Sequence, residues 1–134
     1  SIRNQATKLF ESGKKQEAID LFQTQIIEKG VATANDHSFL GKLYLLTSQF
    51  DKSLQTMEIA LKMDKSALDI QLNLAHAYLL TGDFRKAKEI HKHCKNQNIS
   101  ANVSWKTQTQ IDFEQFKANG IYSKDFKRIL NILE

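Results

Sequence analysis

The chain contains nearly the same twelve-residue segment twice, and this repetition constrains its fold more than any other feature. LYLLTSQFDKSL occupies residues 43–54, and AYLLTGDFRKAK begins 34 residues later and occupies residues 77–88. A period of roughly 20–50 residues is typical of solenoids and other repeat architectures. The sequence therefore predicts several copies of one small structural unit, stacked along the chain.

A third, weaker copy precedes these two. Aligning the three copies places a small residue at two equivalent positions of each unit. The first position holds Ala6, Gly41 and Ala75, and the second holds Ala18, Ser53 and Ala87. The units cover roughly residues 1–34, 35–67 and 68–100.

Each unit is predicted to contain two helices separated by a short turn. In the second unit, apolar residues recur at helical spacing up to a break at Ser48-Gln49, and the pattern then resumes. Proline is absent and glycine occurs only five times, so few residues interrupt helices. We expect Asp36 to cap the first helix of this unit, and Ser66 with Asp69 to form a capping box for the next.

The small residues are expected at the points where the two helices of a unit cross. Two antiparallel helices approach to about 8–10 Å only where the side chains at the crossing are small. A lone helix pair cannot bury its apolar face, so the pairs are expected to stack.

Residues 101–134 differ from the repeats and are predicted to form a degenerate fourth helix pair. SANVSWKTQTQIDFEQFKANG is predicted to be one long helix ended by Gly120, with Trp105, Phe113 and Phe116 as its best contacts. SKDFKRILNILE then carries an apolar stripe formed by Phe126, Ile129, Leu130 and Leu133. We expect this pair to act as a packing cap. The alternative is that the stripe docks onto another chain, including self-association through the C-terminal helix.

Residues 1–97 resemble the tetratricopeptide repeat (TPR) family. The match is close in LNLAHAYLLTGDFRKA and nearly as good in FLGKLYLLTSQFDKSLQTMEIALKMD, and GKKQEAIDLF matches in the first unit. The resemblance implies an all-α fold: a right-handed superhelical stack of antiparallel helix pairs, with three TPR-like repeats in residues 1–100 and a C-terminal helical cap in residues 101–134. Gly30 and Lys65 replace the usual proline. His91 and Lys95 are polar where apolar residues are expected, which predicts a looser last contact between helices.

The resemblance also implies where a partner binds. In such stacks the first helices of the repeats line a concave groove, which holds a protein or peptide segment. The predicted groove residues are Arg3, Thr7, Phe10, Phe39, Lys42, Leu46, Asn73, His76 and Leu80. The alternative is that residues of the C-terminal tail fold back and fill this groove.

Some TPR proteins bind the C-terminal carboxylate of chaperones through a clamp of lysine, asparagine and arginine side chains. The matching positions here are Arg3, Thr7, Phe39, Asp69 and Asn73. Only Arg3 keeps the required charge, and Asp69 reverses it. A carboxylate needs several converging donors, so we expect no such binding.

Nothing in the sequence predicts catalysis, a cofactor or a metal site. Phosphate-binding loops, nucleophile motifs and Cys-x-x-Cys pairs are absent. The most suggestive cluster is His91, His93 and Cys94, but at most two of these can share one helix face and a tetrahedral site needs about four ligands. We expect Cys94 to be a core residue and His93 to be solvated.

The charge pattern does not favour nucleic-acid binding. The net charge of +4 is spread along the chain, with nine basic and eight acidic residues in 1–67, and ten and seven in 68–134. The basic helix RKAKEIHKHCKNQNIS has some likeness to RNA-binding pentatricopeptide repeats, but no aromatic residues alternate with its charges to stack on bases. RNA binding therefore ranks below a protein-interaction module and below a structural or oligomerisation role, and an enzymatic role ranks last.

No apolar run approaches the roughly 20 residues that span a bilayer, and the N-terminus lacks the pattern of a signal peptide. If the chain is complete, we expect a cytoplasmic protein without membrane contact.

Overall fold

A computed structural model describes all residues from 1 to 134 and shows an all-α chain, as predicted. The helices are α1 (Ile2–Glu11), α2 (Lys15–Phe22), α3 (Ala34–Leu46), α4 (Phe50–Met63), α5 (Leu68–Leu80), α6 (Phe84–Cys94), α7 (Trp105–Ala118) and α8 (Phe126–Ile132). A π-helical turn, Gln23–Ile27, continues α2. Two short antiparallel strands, β1 (Asn98–Ser100) and β2 (Val103–Ser104), form a hairpin before α7. No helix combines the length and hydrophobicity needed to cross a membrane.

Neighbouring helices pack in pairs. α1 packs against α2, α3 against α4, and α5 against α6. The second pair is joined to the third because both α3 and α4 contact α5. α8 packs against α6 and α7. The first helices of the three pairs, α1, α3 and α5, together form what we call the first-helix face.

The first helix of every pair ends in the same way. Gly13, Ser48 and Gly82, which are equivalent in the sequence alignment, all adopt a left-handed backbone with φ of 82°, 61° and 93°. The residue after each one donates its N–H to a carbonyl five residues earlier. These bonds are Lys14 to Leu9 at 2.9 Å, Gln49 to Tyr44 at 2.8 Å and Asp83 to Tyr78 at 2.8 Å. Such left-handed closures stop helices in a chain that has no proline.

The small residues lie where helices cross, as the repeat alignment predicts. Gly41 on α3 faces Met57 on α4 so closely that a Cβ atom at Gly41 would collide with the end of the methionine side chain. Beside it, the Ser53 hydroxyl donates to the Gly41 carbonyl at 2.7 Å. The equivalent alanines, Ala6, Ala18, Ala75 and Ala87, are all fully buried.

The apolar core has two parts. One is built around α1, α2 and α3, with Phe22 and Tyr44 among its buried members. The other extends from the end of α3 to α8 and is centred on Trp105, Phe113 and Phe116. The aromatic residues predicted to be the best contacts of the tail are therefore core residues. Cys94 is also buried, as predicted.

Two predicted helix caps are placed differently in the structure. Thr33, not Asp36, caps α3: its hydroxyl accepts from the Asp36 N–H at 3.1 Å, and the Asp36 carboxylate accepts from the Thr33 N–H at 2.9 Å. Asp36 is thus the third residue of a capping box. The box predicted at Ser66 is absent, because Ser66 donates to the Asp64 carboxylate and α5 begins after Ala67 without a side-chain cap.

The tail helix begins later than predicted. The segment from residue 100 to residue 104 lies in the β1–β2 hairpin, and the Ser104 hydroxyl caps α7 by accepting from the Thr107 N–H at 3.1 Å. The Trp105 N–H donates to the Gln97 carbonyl at 2.9 Å, which closes the hairpin. The hairpin therefore reverses the chain just where the large Trp105 ring enters the core.

The apolar stripe of α8 packs inside the chain. Phe126, Ile129 and Leu133 are buried, and Leu130 packs against the same cluster. The Phe126 ring stacks on Phe113 with centroids 4.3 Å apart. This matches the packing-cap interpretation. The stripe is not a free surface that could dock onto another chain.

We expect Gly41→Leu to lower the free energy of unfolding by about 1–3 kcal/mol, because the new side chain overpacks the contact with Met57. Urea titration followed by circular dichroism measures this. Gln55→Leu, at an exposed position of α4, should change stability by less than about 0.5 kcal/mol. Equal stability of Gly41→Leu and the parent chain would contradict the close crossing.

Candidate functional site

α7 lies across the first-helix face. Its Asp112 carboxylate is 2.9 Å from His76 on α5 and 3.6 Å from the Lys42 ammonium on α3. One turn beyond the middle of α7, Gln115 lines a pocket together with residues of α1 and α3. Just after its end, Asn119 accepts a hydrogen bond from Lys15 at the start of α2. The structure thus shows the alternative in which the tail folds back over the predicted groove.

This arrangement takes His76 and Leu80 away from the open surface, whereas Leu46 stays in the wall of a surface pocket. His76 is 0 % exposed and Leu46 is 3 % exposed. Leu80 is half-buried and packs against the core cluster around α7. The assignment of His76 and Leu80 to the partner-binding surface needs correction, because helical spacing shows that they face inward but does not show that the tail packs against them.

The centre of the α7 contact is a buried ion-pair network. Asp112 is 2 % exposed, and its second oxygen accepts from the Gln108 amide at 2.9 Å. Burial opposes ionisation of this carboxyl group, but the hydrogen bond and the electrostatic attraction of His76 outweigh it, with help from Lys42 and Gln108. The pKa of Asp112 is therefore lowered, so this carboxylate stays ionised inside the protein.

A second buried histidine contradicts the expectation of a loose last contact. The Trp105 indole N–H donates to His91 Nδ1 at 2.9 Å, and the two rings meet edge to face with centroids 5.6 Å apart. His91 is completely buried. Burial, together with the nearby His76, lowers the pKa of His91 to about 3, which keeps the ring neutral. His91 supplies the hydrogen-bond acceptor that the buried indole N–H needs. Lys95, the second polar residue in question, is exposed to solvent.

The part of the first-helix face near α1 remains open. There Arg3 forms a two-pronged ion pair with Asp36, with both N–O distances at 2.6 Å. The hydrogen bond from Arg3, reinforced by those from Thr33, lowers the pKa of Asp36 to about 2 despite partial burial. The Thr7 hydroxyl donates to the Arg3 carbonyl at 3.0 Å. Both predicted residues therefore lie at the surface, but each already has a partner within the chain.

Three surface pockets adjoin one another along α3, and we call them together the α3 groove. The first, of about 300 Å³, is lined by Arg3, Asn4, Thr7, Phe22, Asn35, Asp36 and Phe39. The second, of about 230 Å³, is lined by Phe10, Phe39, Lys42, Leu43, Leu46 and Gln115. The third, of about 210 Å³, is lined by Lys42, Asp69, Leu72, Asn73, Ile99, Ser100, Gln108 and Asp112. Phe39 lines the first two pockets and Lys42 the last two, so neighbouring pockets share a wall.

The α3 groove brings together six of the nine predicted residues in accessible or half-buried positions: Arg3, Thr7, Phe10, Phe39, Lys42 and Asn73. Asn73 is held by a hydrogen bond from its amide to the Ser38 hydroxyl at 3.1 Å. Sequence reasoning missed the contributions of α7 and β1, such as Gln108, Gln115 and Ser100. No repeat position corresponds to them, so the alignment of the units carries no signal for them.

Comparison with models of known protein families finds no match, and none is found among curated proteins.

We expect His76→Ala to lower the free energy of unfolding by about 3–5 kcal/mol, because it leaves the Asp112 charge buried with fewer partners. A double-mutant cycle with Asp112→Asn, measured by urea denaturation, isolates the pair. His93→Ala, at an exposed position, serves as the control. Additive effects of the two substitutions would show that the buried contact is not coupled.

We expect the chain to lose stability as the pH falls from about 6.5 toward 3. In this window the unfolded chain binds a proton on His91 that the folded chain excludes, because the pKa of the folded group is about 3. The stabilisation is complete above pH 6.5 and should decline by about 1.4 kcal/mol per pH unit for one proton. Asp36 and Asp112, whose pKa values are also lowered, add a further loss only near pH 4 and below.

Unfolding free energies between pH 6 and pH 4.5 separate these contributions. His91→Gln keeps an oxygen acceptor for the Trp105 indole but cannot be protonated in this range, so its stability should depend less on pH than that of the parent chain. His93→Gln should keep the parent slope. An unchanged slope in His91→Gln would contradict the assignment to His91.

Proposed function

We propose that this chain is a non-catalytic protein-interaction module of TPR-like architecture, and that it binds a segment of a partner protein in the α3 groove. The repeating left-handed helix ends and the small residues at each crossing support a superhelical stack of helix pairs. The observation that carries the binding proposal is the row of three neighbouring pockets along α3, which share Phe39 and Lys42 as lining residues.

The groove indicates the chemistry of its ligand. The middle pocket, walled mainly by Phe10, Phe39, Leu43 and Leu46, is large enough for one leucine or phenylalanine side chain. Most residues that line the pockets on either side are polar. A partner segment with one large apolar residue between polar residues fits this order.

Net charge contributes little to this recognition. The Arg3 guanidinium is paired with Asp36, and the Lys42 ammonium lies 3.6 Å from Asp112. Asp69 is the one charged side chain of the groove that forms no ion pair. Shape and hydrogen bonding then determine most of the specificity, so binding should depend only weakly on salt. The same pairing supports the expectation of no chaperone-tail binding, because Arg3 is the one cation of that clamp. Binding of an acidic C-terminal peptide that was lost in Arg3→Ala would overturn this expectation.

The buried polar groups support a non-catalytic role. His76 and Asp112 have the side chains of an acid–base pair, but they are 0 % and 2 % exposed and hold α7 in place. A general base must reach the proton that it removes from a substrate. The pair is therefore better explained as a structural contact.

Self-association through the C-terminal stripe has no support in its packing, because the stripe is buried within the chain.

RNA binding is also not proposed. The basic side chains of α6 are mostly exposed, and Arg85 pairs with Glu89 at 3.0 Å on the same helix. The mixed lining of the α3 groove suits a peptide better than a phosphate backbone.

Selection from a displayed library of random peptides tests the proposal. Peptides enriched on the parent chain should carry a large apolar residue between polar residues. Their affinity should fall by about tenfold or more in Phe39→Glu, because a carboxylate would replace the apolar wall shared by two pockets. Isothermal titration calorimetry measures this loss.

The control is Tyr122→Glu, which introduces the same charge at a ring that is 72 % exposed and lines none of the three pockets. It should keep the parent affinity within about twofold. Circular dichroism must show the same helical content for both variants. An unsuccessful selection, or peptides that bind Phe39→Glu as tightly as the parent chain, would refute binding in the α3 groove.

A further inference from the structure

We propose a second interaction surface, separate from the α3 groove, that binds an acidic amphipathic segment of a protein. Its centre is a pocket of about 330 Å³ between α4, α5 and α6, lined by Leu61, Lys62, Lys65, Gln71, Leu74 and Ile90. We call it the α4–α6 pocket. It shares no lining residue with the α3 groove, so this proposal does not depend on the function proposed above.

The base of the α4–α6 pocket is apolar. Leu61, Leu74 and Ile90 are its hydrophobic lining residues, and most of the pocket surface is apolar. On α4, Ile59 and Met63 are 47 % and 52 % exposed and are two of the five large apolar side chains that the chain leaves exposed. Ile59 lies one helical turn before Lys62, so exposed apolar surface adjoins the basic side of the pocket on α4.

The charged side chains of the pocket are both basic. Lys62 and Lys65 are exposed, and neither forms an ion pair within the chain. Asp64 lies between them in the sequence, but its carboxylate accepts hydrogen bonds from the Ser66 N–H and hydroxyl at 3.1 and 3.0 Å. The pocket therefore combines an apolar base with two ammonium groups that have no partner.

The polar wall of the pocket is fixed in place. The Gln71 amide donates to the Lys65 carbonyl at 3.1 Å, and its oxygen accepts from the Cys94 thiol at 3.3 Å. These bonds join the loop before α5 to the end of α6. A site that is already ordered loses little conformational entropy when a ligand binds.

Charge complementarity identifies the occupant. A leucine or phenylalanine side chain can fill the apolar base, while a neighbouring aspartate or glutamate pairs with Lys62 or Lys65. An amphipathic helix presents such residues on one face at a spacing of three or four. We therefore assign the α4–α6 pocket to a partner helix that carries leucine and glutamate on the same face.

Two designed peptides of fifteen residues provide the probe. Both are helical and carry leucine at helical spacing, but one has glutamate and the other lysine at the flanking positions. Titration of the ¹⁵N-labelled chain should shift the side-chain amide signals of Gln71 and the backbone signals of Lys62 and Lys65. The acidic peptide should bind about tenfold or more tightly than its basic twin, and this preference should shrink at high salt.

The double variant Lys62→Glu, Lys65→Glu should lose about tenfold or more in affinity for the acidic peptide. The matched control, Lys124→Glu with Lys127→Glu, makes the same change in net charge at exposed positions outside the pocket and should keep the affinity within about twofold. Phe39→Glu should leave binding unchanged, which separates this surface from the α3 groove.

Four results would overturn the proposal: no binding of the acidic peptide, equal binding of the twin peptides, equal losses in the two double variants, or signal shifts confined to the α3 groove. Palmitate provides a further test, because it combines an apolar chain with one carboxylate. Binding of palmitate at Gln71 without binding of the acidic peptide would assign the pocket to a lipid instead.

Discussion

The structure depends most on the buried contact between His76 and Asp112. Without it, α7 would place a carboxylate against an apolar interior with only Gln108 and the more distant Lys42 to balance it. With it, a helix that has few apolar residues is fixed across the first-helix face. The cost of burying a charge makes the contact specific, because a shift of α7 would separate the carboxylate from His76 and Lys42.

The position of α7 changes what the first-helix face can do. It covers the part of the face near α5, where it buries His76, and it supplies polar side chains to the part that stays open. Gln108 and Gln115 add polar walls to two pockets of the α3 groove. The tail therefore both fills one part of the predicted surface and helps to build another.

The elements that could be predicted from the sequence are those governed by local rules. Helical spacing and the recurrence of small residues predict the crossing at Gly41 and the turns at Gly13, Ser48 and Gly82. The positions that could not be predicted depend on contacts between segments distant in the chain. His91 looked like a misplaced polar residue because its partner, Trp105, lies 14 positions later across a hairpin. The coverage of His76 likewise depends on Asp112, 36 positions away.

The hydrogen bond between Lys15 and Asn119 joins the first helix pair to the end of α7, across 104 positions of the sequence. In an open repeat array each unit contacts only its neighbours, so unfolding can begin at one end and proceed unit by unit. Here α7 contacts elements of all three pairs, and the free energy of each pair is coupled to that of the others. Unfolding should therefore be cooperative across the whole chain, with all regions losing structure together.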